Sequence, residues 1–112
     1  MRLQVKGKNL EVSETMREYA EHKLGKLDRQ LHDLTLVEVE LSVEKNPSIP
    51  DGQVAEATVW TKGPVLRARE ASGDMQASID RLTEKIERQI VRYREKRQRS
   101  NARGHGGPSL QP

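Results

Sequence analysis

Val37-Glu38-Val39-Glu40-Leu41-Ser42-Val43-Glu44 alternates apolar and polar residues without a break. A period of two places one set of side chains on each face of an extended strand, so this segment is a strand with one face buried. Such a strand needs neighbours to pair with. Asn46 to Gly52, with Pro47 and Pro50, makes a loop. Val54 to Thr61 then reads as a strand with Ala55, Ala57 and Val59 on one face and Glu56, Thr58 and Trp60 on the other. Lys62-Gly63-Pro64 punctuates a hairpin, and Val65 to Ala71 follows as a strand with Leu66 and Ala68 opposed to Arg67 and Arg69. At the start of the chain Leu3 and Val5 alternate with Gln4 and Lys6 in a short first strand that runs into the turn residues Gly7 to Asn9.

The apolar face of such a sheet needs a cover, and two amphipathic segments offer it. Ser13 can cap a helix over residues 14–31, in which Met16, Tyr19, Ala20, Leu24, Leu27 and Leu31 recur at the three and four spacing of one face. Gly73 and Asp74 end the sheet and cap a second helix, whose stripe is Met75, Ile79, Leu82, Ile86, Ile90 and Tyr93 and whose periodicity runs to about Arg99. The order is β-α-β-β-β-α: an α+β domain with a four-stranded, mostly antiparallel sheet and both helices on one face. The domain is expected over residues 1–98, with 99–112 as a flexible Gly- and Pro-rich tail or linker.

Composition narrows the function classes. With 112 residues, 33% hydrophobic and 33% charged, there is room for one small domain. No run approaches the ~18–20 apolar residues of a membrane helix, and Met1 to Leu10 lacks the apolar stretch of a signal peptide, so a soluble, cytoplasmic protein with no membrane partner is expected. Without cysteine there is neither a disulfide framework nor a thiolate site. His22, His32 and His105 lack metal-ligand spacing, no phosphate-binding or nucleophile-elbow motif occurs, and the carboxylates are scattered over solvent faces. The expectation is a protein with no catalytic residues, metal, cofactor or small-molecule substrate.

Charge is more informative. The net charge is +3, yet residues 80–99 hold eight basic against four acidic side chains, a net +4 that leaves −1 for the rest. On a wheel of about 100° per residue, Arg81, Lys85, Arg88, Arg92, Lys96 and Arg99 lie to one side of the apolar stripe, and Asp80, Glu84, Glu87 and Glu95 to the other. A solvated helix laced with ion pairs would mix the two signs. Separate stripes leave a continuous basic one suited to neutralising phosphates. Helix one repeats the pattern: His22, Lys26 and Arg29 lie on one flank, Glu14, Glu18, Glu21 and Asp28 on the other, and Lys23 at the stripe's border. The uncovered sheet face would expose Glu38, Glu40 and Glu44, so a polyanion should meet the helices or a sheet edge, with Arg67 and Arg69 softening the repulsion. Trp60 is the sheet's one aromatic, while Tyr19 and Tyr93 fall on apolar helix faces, so backbone and shape recognition of structured nucleic acid is favoured over base stacking.

Three segments taken together resemble a known family: Val5-Lys6-Gly7-Lys8-Asn9-Leu10-Glu11-Val12-Ser13, Lys23-Leu24-Gly25-Lys26-Leu27, and Asp74-Met75 followed by Lys85-Ile86-Glu87-Arg88-Gln89-Ile90 and Tyr93. In order and spacing they are similar to the ribosome hibernation-promoting factors, which include the ribosome-associated inhibitor A proteins. The resemblance implies the same β-α-β-β-β-α fold, itself similar to double-stranded RNA binding domains. It also implies a stress or stationary-phase factor that binds the small ribosomal subunit and its 16S-type rRNA in the mRNA and tRNA channel, at the A- and P-site region, and inhibits translation. Lys8, Lys23, Lys26, Lys85, Arg88, Arg92 and Lys96 are the RNA-binding residues carried over by motif position, and the basic stripe adds Arg81. Gln76 departs from the family pattern, which has an aromatic after Asp-Met. Long family members carry a further domain that pairs ribosomes, so dimerisation would need that domain or another factor. A general double-stranded RNA binder and a module that pairs its helix stripe with a partner protein are the alternatives.

Overall fold

The computed structural model describes residues 2–29, 36–46, 48 and 50–106, with side chains described as far as Lys96. The alternating segment becomes β2 (Leu36–Val43), which lies inside the sheet between β1 (Arg2–Gly7) and β3 (Gln53–Trp60), with β4 (Val65–Ser72) outermost beside β3. β1 runs parallel to β2, with Val5 opposite Val39, and the other two pairings are antiparallel. Burial follows the period of two: Val37, Val39 and Leu41 are fully enclosed while Glu38 and Glu40 face the other way.

α1 (Glu14–Gly25) opens on Ser13, whose hydroxyl accepts from the Met16 amide at 3.1 Å, and lies over β1. The single helix expected over 14–31 is shorter: after Gly25 the chain tightens into a 3₁₀ turn, Lys26–Arg29. Glycine, with its large loss of backbone freedom, is a poor helix residue, and a 3₁₀ turn is a common helix ending. The turn still drives Leu27 into the core, while Leu31 lies outside the described residues. α2 (Met75–Gly106) packs across β3 and β4. Asp74 caps it, its carboxylate accepting from the Ala77 amide at 3.1 Å. The helix passes the boundary expected at Arg99, so residues 99–106 are helical where a flexible tail was expected. No proline interrupts them, and extending an existing helix adds a hydrogen bond for each residue fixed. Residues 107–112 lie outside the described part.

One core joins these elements. Ala20, Leu24 and Leu27 meet the sheet beside Ile79, Leu82, Ile86 and Ile90, all essentially without solvent contact. The small Ala55, Ala57 and Ala68 on β3 and β4 let α2 approach closely, and its isoleucines and leucine supply the volume in a chain without phenylalanine. Where β4 hands over to α2, the buried hydroxyls of Ser72 and Ser78 lie 2.7 Å apart, and Ser78 donates to the Gln53 carbonyl at 2.6 Å. Neither serine stood out in the sequence as more than a polar residue near a helix start.

Candidate nucleic-acid interface

Burying the α2 stripe fixes the rotation of the helix, and that rotation decides what each charged flank meets. The basic flank hangs over the free edge of β4. Arg81 donates to the Ala71 carbonyl at 3.5 Å, Lys85 to that of Arg69 at 3.4 Å and Gln89 to that of Arg67 at 2.8 Å. The geometry matches: four helical residues advance about 6 Å and two strand residues about 6.6–6.8 Å, so positions four apart on α2 meet positions two apart on an antiparallel β4. Lys85 is also 3.1 Å from the Glu70 carboxylate. Arg81 and Lys85 therefore have intramolecular partners. Arg88, Arg92 and Lys96 are exposed and have none among the described residues. Arg88 and Arg92 line a shallow depression of about 410 Å³ together with Glu87, Val91 and Glu95. The Arg99 side chain lies beyond the described ones.

The acidic flank begins against α1. The Tyr19 hydroxyl donates to Asp80 Oδ1 at 2.6 Å, Lys23 Nζ lies 3.4 Å from the same oxygen, and the Lys23 ammonium sits 5.8 Å from the centre of the Tyr19 ring. The bond to Asp80 raises the Tyr19 phenol above its ordinary pKa, aided by desolvation and by the negative charges of Asp80 and Asp74. Tyr19, expected as core, thus packs on the core by its ring and ties the two helices together by its hydroxyl. Tyr93 is buried as expected.

The predicted cations therefore do not form one cluster. Lys23 is held in the interhelix pair, whereas Lys26, on the 3₁₀ turn, is exposed with no partner among the described residues. Lys8 is exposed at the end of β1, where its amide donates to the Leu41 carbonyl at 2.9 Å. Asn9 fixes this end of the strand, donating to the Val43 carbonyl at 2.7 Å and accepting from its amide at 2.9 Å. Gly7 is required there, since a Cβ would stand 2.1 Å from the Leu10 carbonyl oxygen.

The open sheet face is less repulsive to phosphate than its glutamates suggest. Lys6 lies 3.4 Å from Glu38 and 4.0 Å from Glu40. Glu44, expected on that face, falls after the end of β2; its amide bonds to the Gly52 carbonyl and its carboxylate accepts from the Asn46 amide. Arg67 and Arg69 stand exposed on β4 opposite Thr58 and Glu56. The alternation of β4 placed both arginines on this face, but nothing in the sequence put them beside Lys85. Trp60 sits at one end of the face, in register with Leu36 and Val65. Among the described residues no group of acidic, histidine or cysteine side chains could hold a metal ion, and no helix is long and apolar enough to cross a membrane.

A family model described as "Sigma 54 modulation protein / S30EA ribosomal protein" matches residues 3–98. A protein of Picosynechococcus named ribosome hibernation promotion factor is 42% identical over 97 residues, which cover 86% of this chain and 50% of that protein. A protein of Azotobacter vinelandii named ribosome hibernation promoting factor is 34% identical over 96 residues, 86% of this chain and 85% of the relative. The chain thus spans half the length of the first relative and most of the second. Among solved structures, the N-terminal domain of Protein Y from Thermus thermophilus superposes with a TM-score of 0.71 at 32% identity, covering 83% of this chain and 99% of that domain.

Proposed function

The chain belongs to the Sigma 54 modulation protein / S30EA ribosomal protein family, and from that membership we propose that it is a non-enzymatic, cytoplasmic ribosome hibernation factor. Residues 1–98 bind the small ribosomal subunit through its 16S-type rRNA, in the channel used by mRNA and by A- and P-site tRNA, and so block translation. The names of the relatives support a ribosome as partner. The observation that carries the RNA reading is the rotation of α2: Asp80 is engaged by α1 while Arg88, Arg92 and Lys96 are left to solvent. A cation already matched to a carboxylate adds no net charge against the phosphates and so displaces few of the RNA's counterions, and these three are not so matched.

The test is co-sedimentation with purified small subunits at physiological salt, with an excess of plain RNA duplex as competitor and a parallel assay for displaced P-site tRNA. Stoichiometric binding that resists the duplex and expels tRNA is expected. Neutralising about six phosphates gives a log-log salt slope near −4 to −5.5. Binding abolished by the duplex would make the protein a general RNA binder. Absence of binding would overturn this reading; the α2 stripe, a partner-binding face in the alternative reading of the sequence, is buried in the core and offers no such surface.

A further inference from the structure

The free edge of β4 carries a feature that the helix stripes do not account for. Residues whose carbonyls point away from the neighbouring antiparallel strand also turn their amides away from it. The carbonyls of Arg67, Arg69 and Ala71 point outward to α2, where Gln89, Lys85 and Arg81 donate to them. From Arg67 to Ala71 the edge's outward acceptors are therefore occupied. What remains for solvent along this stretch is a row of amide donors, an arrangement that favours an anion where carbonyl oxygens would repel one.

Arg69 is placed to join that edge to the rest of the basic surface. It lines a depression of about 320 Å³ with Arg67 and Lys85, and a second of about 250 Å³ with Lys8, Lys45 and Glu44. The two hollows share Arg69 and Glu56, which lie opposite each other in the β3–β4 register. Among the described residues Arg69 has no ion-pair partner, Glu56 included.

We propose that Arg69, with Arg67 and the outward amides of β4, is a phosphate-contact site through which an RNA backbone passes from the outer flank of α2 around the sheet edge to Lys8. Glu56 opposes that contact. The proposal rests on the RNA-binding reading above and adds to it a surface on the sheet.

The full-length chain would be titrated with small ribosomal subunits over a range of salt, as wild type and as Arg69→Gln, Glu56→Gln and Arg88→Gln. All three positions are at the surface, and thermal melts check that each variant folds. Arg69→Gln is expected to weaken binding about fivefold at physiological salt and to make the salt slope shallower by about 0.7–0.9, the loss of one phosphate contact. Glu56→Gln is expected to tighten binding. If Arg88→Gln weakens binding while the Arg69 and Glu56 variants match the wild type, the edge site is wrong and the RNA-binding reading stands. Weaker binding of Arg69→Gln with an unchanged salt slope would assign the contact to something other than phosphate and overturn the proposal. A wild type that fails to bind would overturn both.

Discussion

Tyr19 ties α1 to α2 through its hydroxyl, which donates to Asp80. Its spacing with Ala20 and Leu24 assigns the ring to the apolar face of α1, and the ring packs there. The hydroxyl's partner is 61 positions away on another helix, so no local pattern reveals it. The bond to Asp80 exists only while the phenol is protonated, and the folded-state pKa is raised. The stabilisation is therefore fully present below the ordinary phenol range and is lost as pH rises through the raised value. Thermal melts of wild type and Tyr19→Phe between neutral and strongly alkaline pH should show a gap that closes at the alkaline end. A gap independent of pH would mean that the hydroxyl contributes nothing through Asp80. Gly7 is similar: the sequence marks a turn, but only the approach of the Leu10 carbonyl explains why no side chain fits.

At the level of elements, the caps and periods are local properties and carried over well. Ser13 and Asp74 cap the two helices, and every member of the α2 stripe from Met75 to Tyr93 is buried. Ile86, at the centre of that stripe and without solvent contact, provides a direct check. Ile86→Ala should cost about 2–5 kcal/mol in chemical denaturation, the usual penalty for an emptied core site. Arg92→Ala on the exposed flank should stay within about 0.5 kcal/mol. Comparable losses for the two would contradict the assignment of faces. Helix ends were less legible. The apolar period continues through Leu27, so it does not reveal that the backbone has tightened into a 3₁₀ turn after Gly25. The periodicity of the last helix runs to about Arg99, whereas α2 continues to Gly106.

For the molecule as a whole, motif matching treats Lys23 and Arg92 alike, and the packing ranks them. Lys23 shares Asp80 with Tyr19, whereas Arg92 has no partner among the described residues. Exchanging an internal ion pair for a phosphate contact gains less than engaging a free guanidinium. Lys23→Gln should therefore weaken binding to small subunits less than Arg92→Gln does, measured as Kd at one fixed salt concentration. The reverse order would show that Lys23 leaves Asp80 when RNA arrives. The two flanks of α2 part for the same reason: Asp80 on the acidic one meets α1, Arg81 and Lys85 on the basic one meet the edge of β4, and Arg88, Arg92 and Lys96 face solvent.

Local pattern alone reveals the four strands and two long helices, the face each buries and the concentration of positive charge on the last helix. Those features follow from side-chain period, caps and turns, which act within a few residues. That Asp80 binds Tyr19 and Lys23, that Arg81, Lys85 and Gln89 clip the edge of β4, and that Arg69 lies between Lys8 and Lys85 follow from packing alone. Hydrophobic burial acts without direction and fixes which stripe turns inward. Which partner meets each flank depends on how helix and strand are juxtaposed, a relation between residues distant in the chain.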